Sequence, residues 1–108
     1  MPVLRLVALD IADPAGYARY RAAMAPHLAR HGGRFVLDVE GTAHIHPAGF
    51  APGRVLLIEF PTEEDAAGFM GDPAYRAVRA RHFDPAVAQT EAFRVPSSPH
   101  PPASGWGG

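Results

Sequence analysis

Four segments of the chain alternate between apolar and polar positions or run apolar throughout, and two of the three stretches between them carry helical spacing. Residues 3–11 (VLRLVALDI) are apolar on both alternate sets, with Val3, Val7, Leu9 and Ile11 on one side and Leu4, Leu6 and Ala8 on the other. That pattern reads as a strand covered on both faces. Asp13-Pro14 then offers a cap and a first-turn proline to a helix that reaches about His31. Tyr17, Tyr20, Met24, Leu28 and His31 recur at helical spacing and form its inward stripe. Pro26 removes one helical hydrogen bond and is expected to kink the second half. Gly32-Gly33 supplies the exit, where positive φ is needed.

Residues 34–40 (RFVLDVE) alternate, which predicts Phe35, Leu37 and Val39 on one face and Arg34, Val36, Asp38 and Glu40 on the other. Gly41 breaks this strand, and residues 42–53 read as a long hairpin loop with a short strand-like start. Residues 54–60 (RVLLIEF) form a third strand, apolar on both faces apart from Glu59 and ended by Pro61. Thr62 opens a second helix, with Glu63, Glu64 and Asp65 at its positive end. Gly71 interrupts it, and Asp72-Pro73 starts another helical piece carrying Tyr75, Val78 and Arg79. Residues 88–95 (AQTEAFRV) make a fourth strand.

The order strand, helix, strand, strand, helix, strand predicts an α+β fold: a ferredoxin-like βαββαβ sandwich with a four-stranded antiparallel sheet and helices on one face. This domain spans residues 1–95, and the Pro/Ser/Gly-rich tail 96–108 is expected to be disordered. Strands apolar on both faces need a second cover, and no element is left to supply it. A homodimer packed sheet to sheet, closing a dimeric α/β barrel, is the economical answer.

Composition narrows the chemistry. The 108 residues carry a formal net charge of -1, which favours neither nucleic acid nor an anionic membrane as partner. No apolar run approaches membrane-span length and no signal pattern opens the chain, so a cytoplasmic location is expected. Cys is absent, which excludes disulfides and thiol nucleophiles. Lys is absent too, because all ten cations are Arg, and Schiff-base chemistry goes with it. The three serines all lie at 97–104, outside the folded body, so a serine triad is excluded.

Asp13-Pro14 with Tyr17 and Tyr20-Arg21, Pro26, Gly32-Gly33-Arg34, Phe50-Ala51-Pro52-Gly53-Arg54, Glu59-Phe60-Pro61 and Pro73-Ala74-Tyr75 follow one another in an order that resembles the domain of unknown function 1330 family. That family belongs to the dimeric α/β-barrel superfamily. The resemblance covers about residues 3–95, and Phe50 stands where many relatives are expected to carry Trp. It implies the fold, a dimer and no established reaction. Wider relatives include cofactor-free monooxygenases, haem-degrading enzymes, muconolactone-type isomerases and polyketide cyclases, which share a cavity between sheet and helices. The Asn and Trp used by several oxygenase branches are missing from the body of this chain, which speaks against direct transfer of that chemistry.

Candidate catalytic residues are Glu59, His44 and His46. Glu59 is an acid in an apolar strand, where burial would raise its pKa and suit acid–base work. The alternative pairs it with Arg34 or Arg54 to fix the sheet or the dimer. His44 and His46 share a side of an extended segment and can move protons, bind a divalent metal with a third ligand, or simply be solvated in a loop. Candidate substrate-binding residues are Tyr17, Tyr20, Arg34 and Phe50. The tyrosines offer aromatic surface with hydroxyl tips, or are ordinary core. Arg34 can hold a carboxylate or enolate, or pair with a nearby acid. The run Arg76, Arg79, Arg81 reads as a solvated helix face. No cofactor or metal is expected. The leading expectation is cofactor-independent proton transfer, isomerisation or cyclisation, on a small partly apolar metabolite. The alternative is a non-catalytic small-molecule binding module, or a structural dimer that partners a larger enzyme.

Overall fold

A computed structural model describes residues 2–40 and 53–95 of the chain. Strands β1 (Val3–Ile11), β2 (Arg34–Glu40), β3 (Arg54–Phe60) and β4 (Val87–Val95) form one antiparallel sheet in the order β2-β3-β1-β4. Helix α1 (Pro14–Arg30) links β1 to β2. Between β3 and β4 run α2 (Glu63–Gly71), α3 (Pro73–Val78), a π-helical turn (Arg79–Phe83) and the short α4 (Asp84–Ala86). This is the ferredoxin-like arrangement that the strand and helix order predicts. The hairpin loop over 42–52 and the tail over 96–108 lie outside the described residues.

The helix ends form where the sequence places their caps. The Gly16 N–H donates to Asp13 Oδ1 at 3.1 Å, the Asp65 N–H to Thr62 Oγ1 at 3.0 Å, and the Ala74 N–H to Asp72 Oδ1 at 2.9 Å. Each bond satisfies an amide that has no partner within its own helix. Helix α1 continues through Pro26 to Arg30. Gly32 turns the chain toward β2 with φ +74°, a conformation that other residues rarely adopt.

Strand pairing decides which side chains meet the helices. Leu9 faces Arg54, Val7 faces Leu56 and Arg5 faces Ile58 across β1 and β3, so these positions share the helix-covered face. Leu9, Leu56, Ile58 and Phe60 form the core there with Tyr17, Tyr20, Met24 and Leu28 of α1, and with Phe69, Tyr75 and Phe83 of the second helical region. Burying such side chains is worth roughly 1.5–3 kcal/mol apiece. The opposite face presents Leu4, Leu6, Val55, Leu57 and Phe93, together with Leu37 and Val39 of the edge strand β2.

The alternation expected in β2 is corrected by a bulge. The pairing with β3 slips between Phe35 and Leu37, where Phe35 opposes Ile58 but Leu37 opposes Leu57. One extra residue reverses the faces beyond it. Phe35, Asp38 and Glu40 therefore share the helix face, while Leu37 and Val39 lie on the outer one.

Candidate functional site

The bulge in β2 delivers Asp38 to the underside of α1. Tyr17 and Arg21, one turn apart on that helix, meet it there, and Arg54 reaches it from β3. Arg21 Nη1 donates to Asp38 Oδ2 at 2.6 Å, and Arg54 Nε donates to Asp38 Oδ1 at 2.7 Å. The Arg21 guanidinium lies 3.8 Å above the Phe35 ring centre, and Arg54 lies 5.9 Å from that of Tyr17. A long 3.5 Å contact runs from Arg21 Nη1 to the Tyr17 hydroxyl.

Tyr17, Arg21, Asp38 and Arg54 line an open cleft of about 560 Å³, bordered also by Asp10, Pro14, Glu40 and Gly53. A second cavity of about 170 Å³ lies between sheet and helices, walled by apolar and aromatic residues that include Leu9, Met24, Phe35, Phe69 and Tyr75. Tyr17 and Arg21 line both spaces. The polar cleft and the apolar cavity thus meet at one helical turn.

The electrostatics fix the protonation states. Partial burial works against the Asp38 carboxylate, but the hydrogen bonds from Arg54 and Arg21 outweigh it and hold its pKa below the ordinary value. Burial also opposes the Arg21 charge, and its bonds to Asp38 and Tyr17 more than restore it. The bond to Asp38 raises Arg54 as well. Burial pushes the Tyr17 phenol up, against the pull of Arg21. The result is two permanent cations and a neutral phenol, with a carboxylate whose two oxygens are already engaged. Asp38 is a poor base in this state and a good positioning group. Each guanidinium carries five N–H donors in a planar fork, suited to an oxygen that bears or develops negative charge.

The residues predicted from sequence fall in different places. Tyr17 stands at the junction of the two spaces. Tyr20 lines the apolar cavity and its hydroxyl lies 2.8 Å from that of Tyr75. Arg34 and Glu59 sit opposite each other on the outer sheet face, where Arg34 Nε donates to Glu59 Oε1 at 2.8 Å. Alternation along β3 puts Glu59 on the face opposite Ile58 and Phe60, so it does not join the helix-side residues. His44, His46 and Phe50 lie outside the described residues.

Sequence reasoning missed Arg21, Asp38 and Arg54 as one cluster. Arg21 had a signal, because it follows Tyr17 by four residues on the same helix face. Asp38 had none, because an unbroken strand would send it elsewhere. Arg79 is not confined to a solvated face: it borders the apolar cavity, with its guanidinium 4.8 Å from the Phe83 ring centre. His31, the last residue of the predicted inward stripe, is only partly buried, and its Nε2 lies 2.9 Å from Asp72 Oδ2. Among the described residues no group of three or more His, Asp or Glu could hold a metal ion. Among them, too, no helix is long and apolar enough to cross a membrane.

Residues 2–93 match the family described as domain of unknown function (DUF1330). The chain belongs to the DUF1330 family. No curated protein matches it. Among solved structures, a protein of unknown function from Rhodopseudomonas palustris is similar at a TM-score of 0.77 and 24% identity, over 91% of this chain and 84% of that one. SnoaB, a cofactor-independent oxygenase from Streptomyces nogalater, is similar at a TM-score of 0.64 and 14% identity, over 94% and 97% of the two chains. A dimeric protein of unknown function with a ferredoxin-like fold, from Bacteroides fragilis, is similar at a TM-score of 0.60 and 13% identity, over 87% and 94%. At these identities the likeness carries the fold. The fold of this DUF1330 chain is thus one that a cofactor-free enzyme also uses.

Proposed function

We propose that this DUF1330 protein binds a small, partly apolar acid or enolisable carbonyl compound. The apolar body of the ligand occupies the 170 Å³ cavity, and its charged oxygen meets Arg21 and Tyr17. The observation that carries this reading is that those two residues line the polar and the apolar space together. An engineered cavity of about 150 Å³ accepts benzene, so a single ring or an equally small apolar group is the right size.

The same donors favour proton-transfer chemistry without a cofactor, as in isomerisation or cyclisation. Fixed cations and a neutral phenol, set in place before reaction, stabilise an enolate oxygen as it forms, while the α-proton passes to the Glu40 carboxylate at the edge of the cleft, directly or through water. The similarity in fold to a cofactor-independent oxygenase supports a cofactor-free reading of the cleft. The outer sheet face, with Leu37 and Phe93 exposed, supports a homodimer that packs there.

A direct test titrates 4-isopropylbenzoate into the wild type and Arg21→Met by calorimetry. Loss of a charged hydrogen bond weakens binding by about tenfold or more. Equal affinity for both proteins would contradict this placement of the ligand head.

A further inference from the structure

Tyr20 and Tyr75 come from α1 and α3, and their hydroxyl oxygens lie 2.8 Å apart. They are only 6% and 4% exposed. A phenol has one O–H proton. In a mutual pair one phenol donates and the other accepts, so one proton is left over. Among the described residues neither oxygen has a further hydrogen-bond partner. A buried donor without an acceptor is costly, and native structures seldom leave one so.

Both phenols also line the apolar cavity. The Tyr17 and Tyr20 rings are 5.8 Å apart, Tyr20 and Tyr75 are 6.4 Å apart, and Tyr75 and Phe69 are 4.0 Å apart, centre to centre. These four rings make a continuous aromatic wall. One end of it carries the Tyr17–Arg21 corner, and the hydroxyl pair stands farther along. Burial holds the Tyr20 phenol well above its ordinary pKa, so it stays a neutral donor.

We infer that the Tyr20–Tyr75 pair is a second polar subsite, whose spare proton is donated to a neutral acceptor oxygen on the apolar body of the ligand. This inference rests on the reading of the cleft given above. It narrows the ligand class to molecules with two oxygen functions: a charged or enolisable one at Arg21, and a carbonyl or ether oxygen on the ring or its substituent. A purely hydrocarbon body leaves the spare proton unanswered.

The test compares 4-acetylbenzoate with 4-isopropylbenzoate, acids of similar shape of which only the first has a carbonyl away from its carboxylate. Calorimetric titration of the wild type is expected to favour the acetyl compound by about fivefold to tenfold. The double variant Tyr20→Phe/Tyr75→Phe, which removes both O–H protons, should erase that preference while the isopropyl compound still binds. Equal binding of both acids to the wild type overturns the inference without using any variant, and would mean that water or nothing answers the spare proton. A preference that survives in the double variant overturns it as well. Failure of both acids to bind the wild type instead overturns the reading of the cleft itself, and the second subsite with it.

Discussion

The two faces of the sheet are made by the same four strands yet have opposite fates. On the helix side Leu9, Leu56, Ile58 and Phe60 are at most 9% exposed and belong to one core cluster with side chains of α1 and the second helical region. On the outer side Leu37 and Val39 remain 44% and 43% exposed, and Phe93 remains 52% exposed. Apolar character alone therefore does not say which side is the core. What separates the faces is the helices that cover one of them, and those helices also bring Tyr17, Arg21 and Tyr75 to the cavity. The covered face carries the cleft and the cavity in which we propose the ligand sits. The bare face, which carries the Arg34–Glu59 pair, is the one we assign to association.

The sharpest way to break this contrast is to cut into the covered face. Leu9 is fully buried, so Leu9→Ala should destabilise the fold by about 2–5 kcal/mol in chemical denaturation. A cost as small as that of a surface change would mean that the helices do not seal this face. A smaller effect on folding, but a decisive one on assembly, is expected from Phe93→Arg on the bare face. Its side chain is already half exposed, so the monomer should fold, while a charge inside an apolar interface should separate a dimer. Sedimentation should show the dimer mass for the wild type and half of it for the variant. A monomeric wild type would leave the outer face without the partner assigned to it.

The sequence made the fold legible because its signals were local and mutually consistent. Asp13, Thr62 and Asp72 cap helices where expected, and Tyr17, Tyr20, Met24 and Leu28 face inward together. The site was legible only in part. Tyr17 could be seen from helical spacing, and Tyr20 with it. The Asp38 position depends on one extra residue in β2, and a bulge leaves no mark in a seven-residue alternating strand. Without it the Arg21–Asp38–Arg54 cluster does not exist on paper. Glu59 shows the reverse case. Its chemistry looked catalytic in isolation, but strand pairing sets it against Arg34 on the outer face, an option the sequence alone could not choose. Tyr75 needed tertiary structure, because its hydroxyl partner Tyr20 lies 55 residues away.

The most direct test of the division between the faces is a backbone-amide NMR titration of the wild type with 4-isopropylbenzoate. The largest shifts are expected on Tyr17, Arg21, Asp38 and Tyr75, with Leu37, Glu59 and Phe93 left in place. Shifts centred on those outer-face residues, or no saturable shifts anywhere, would contradict it.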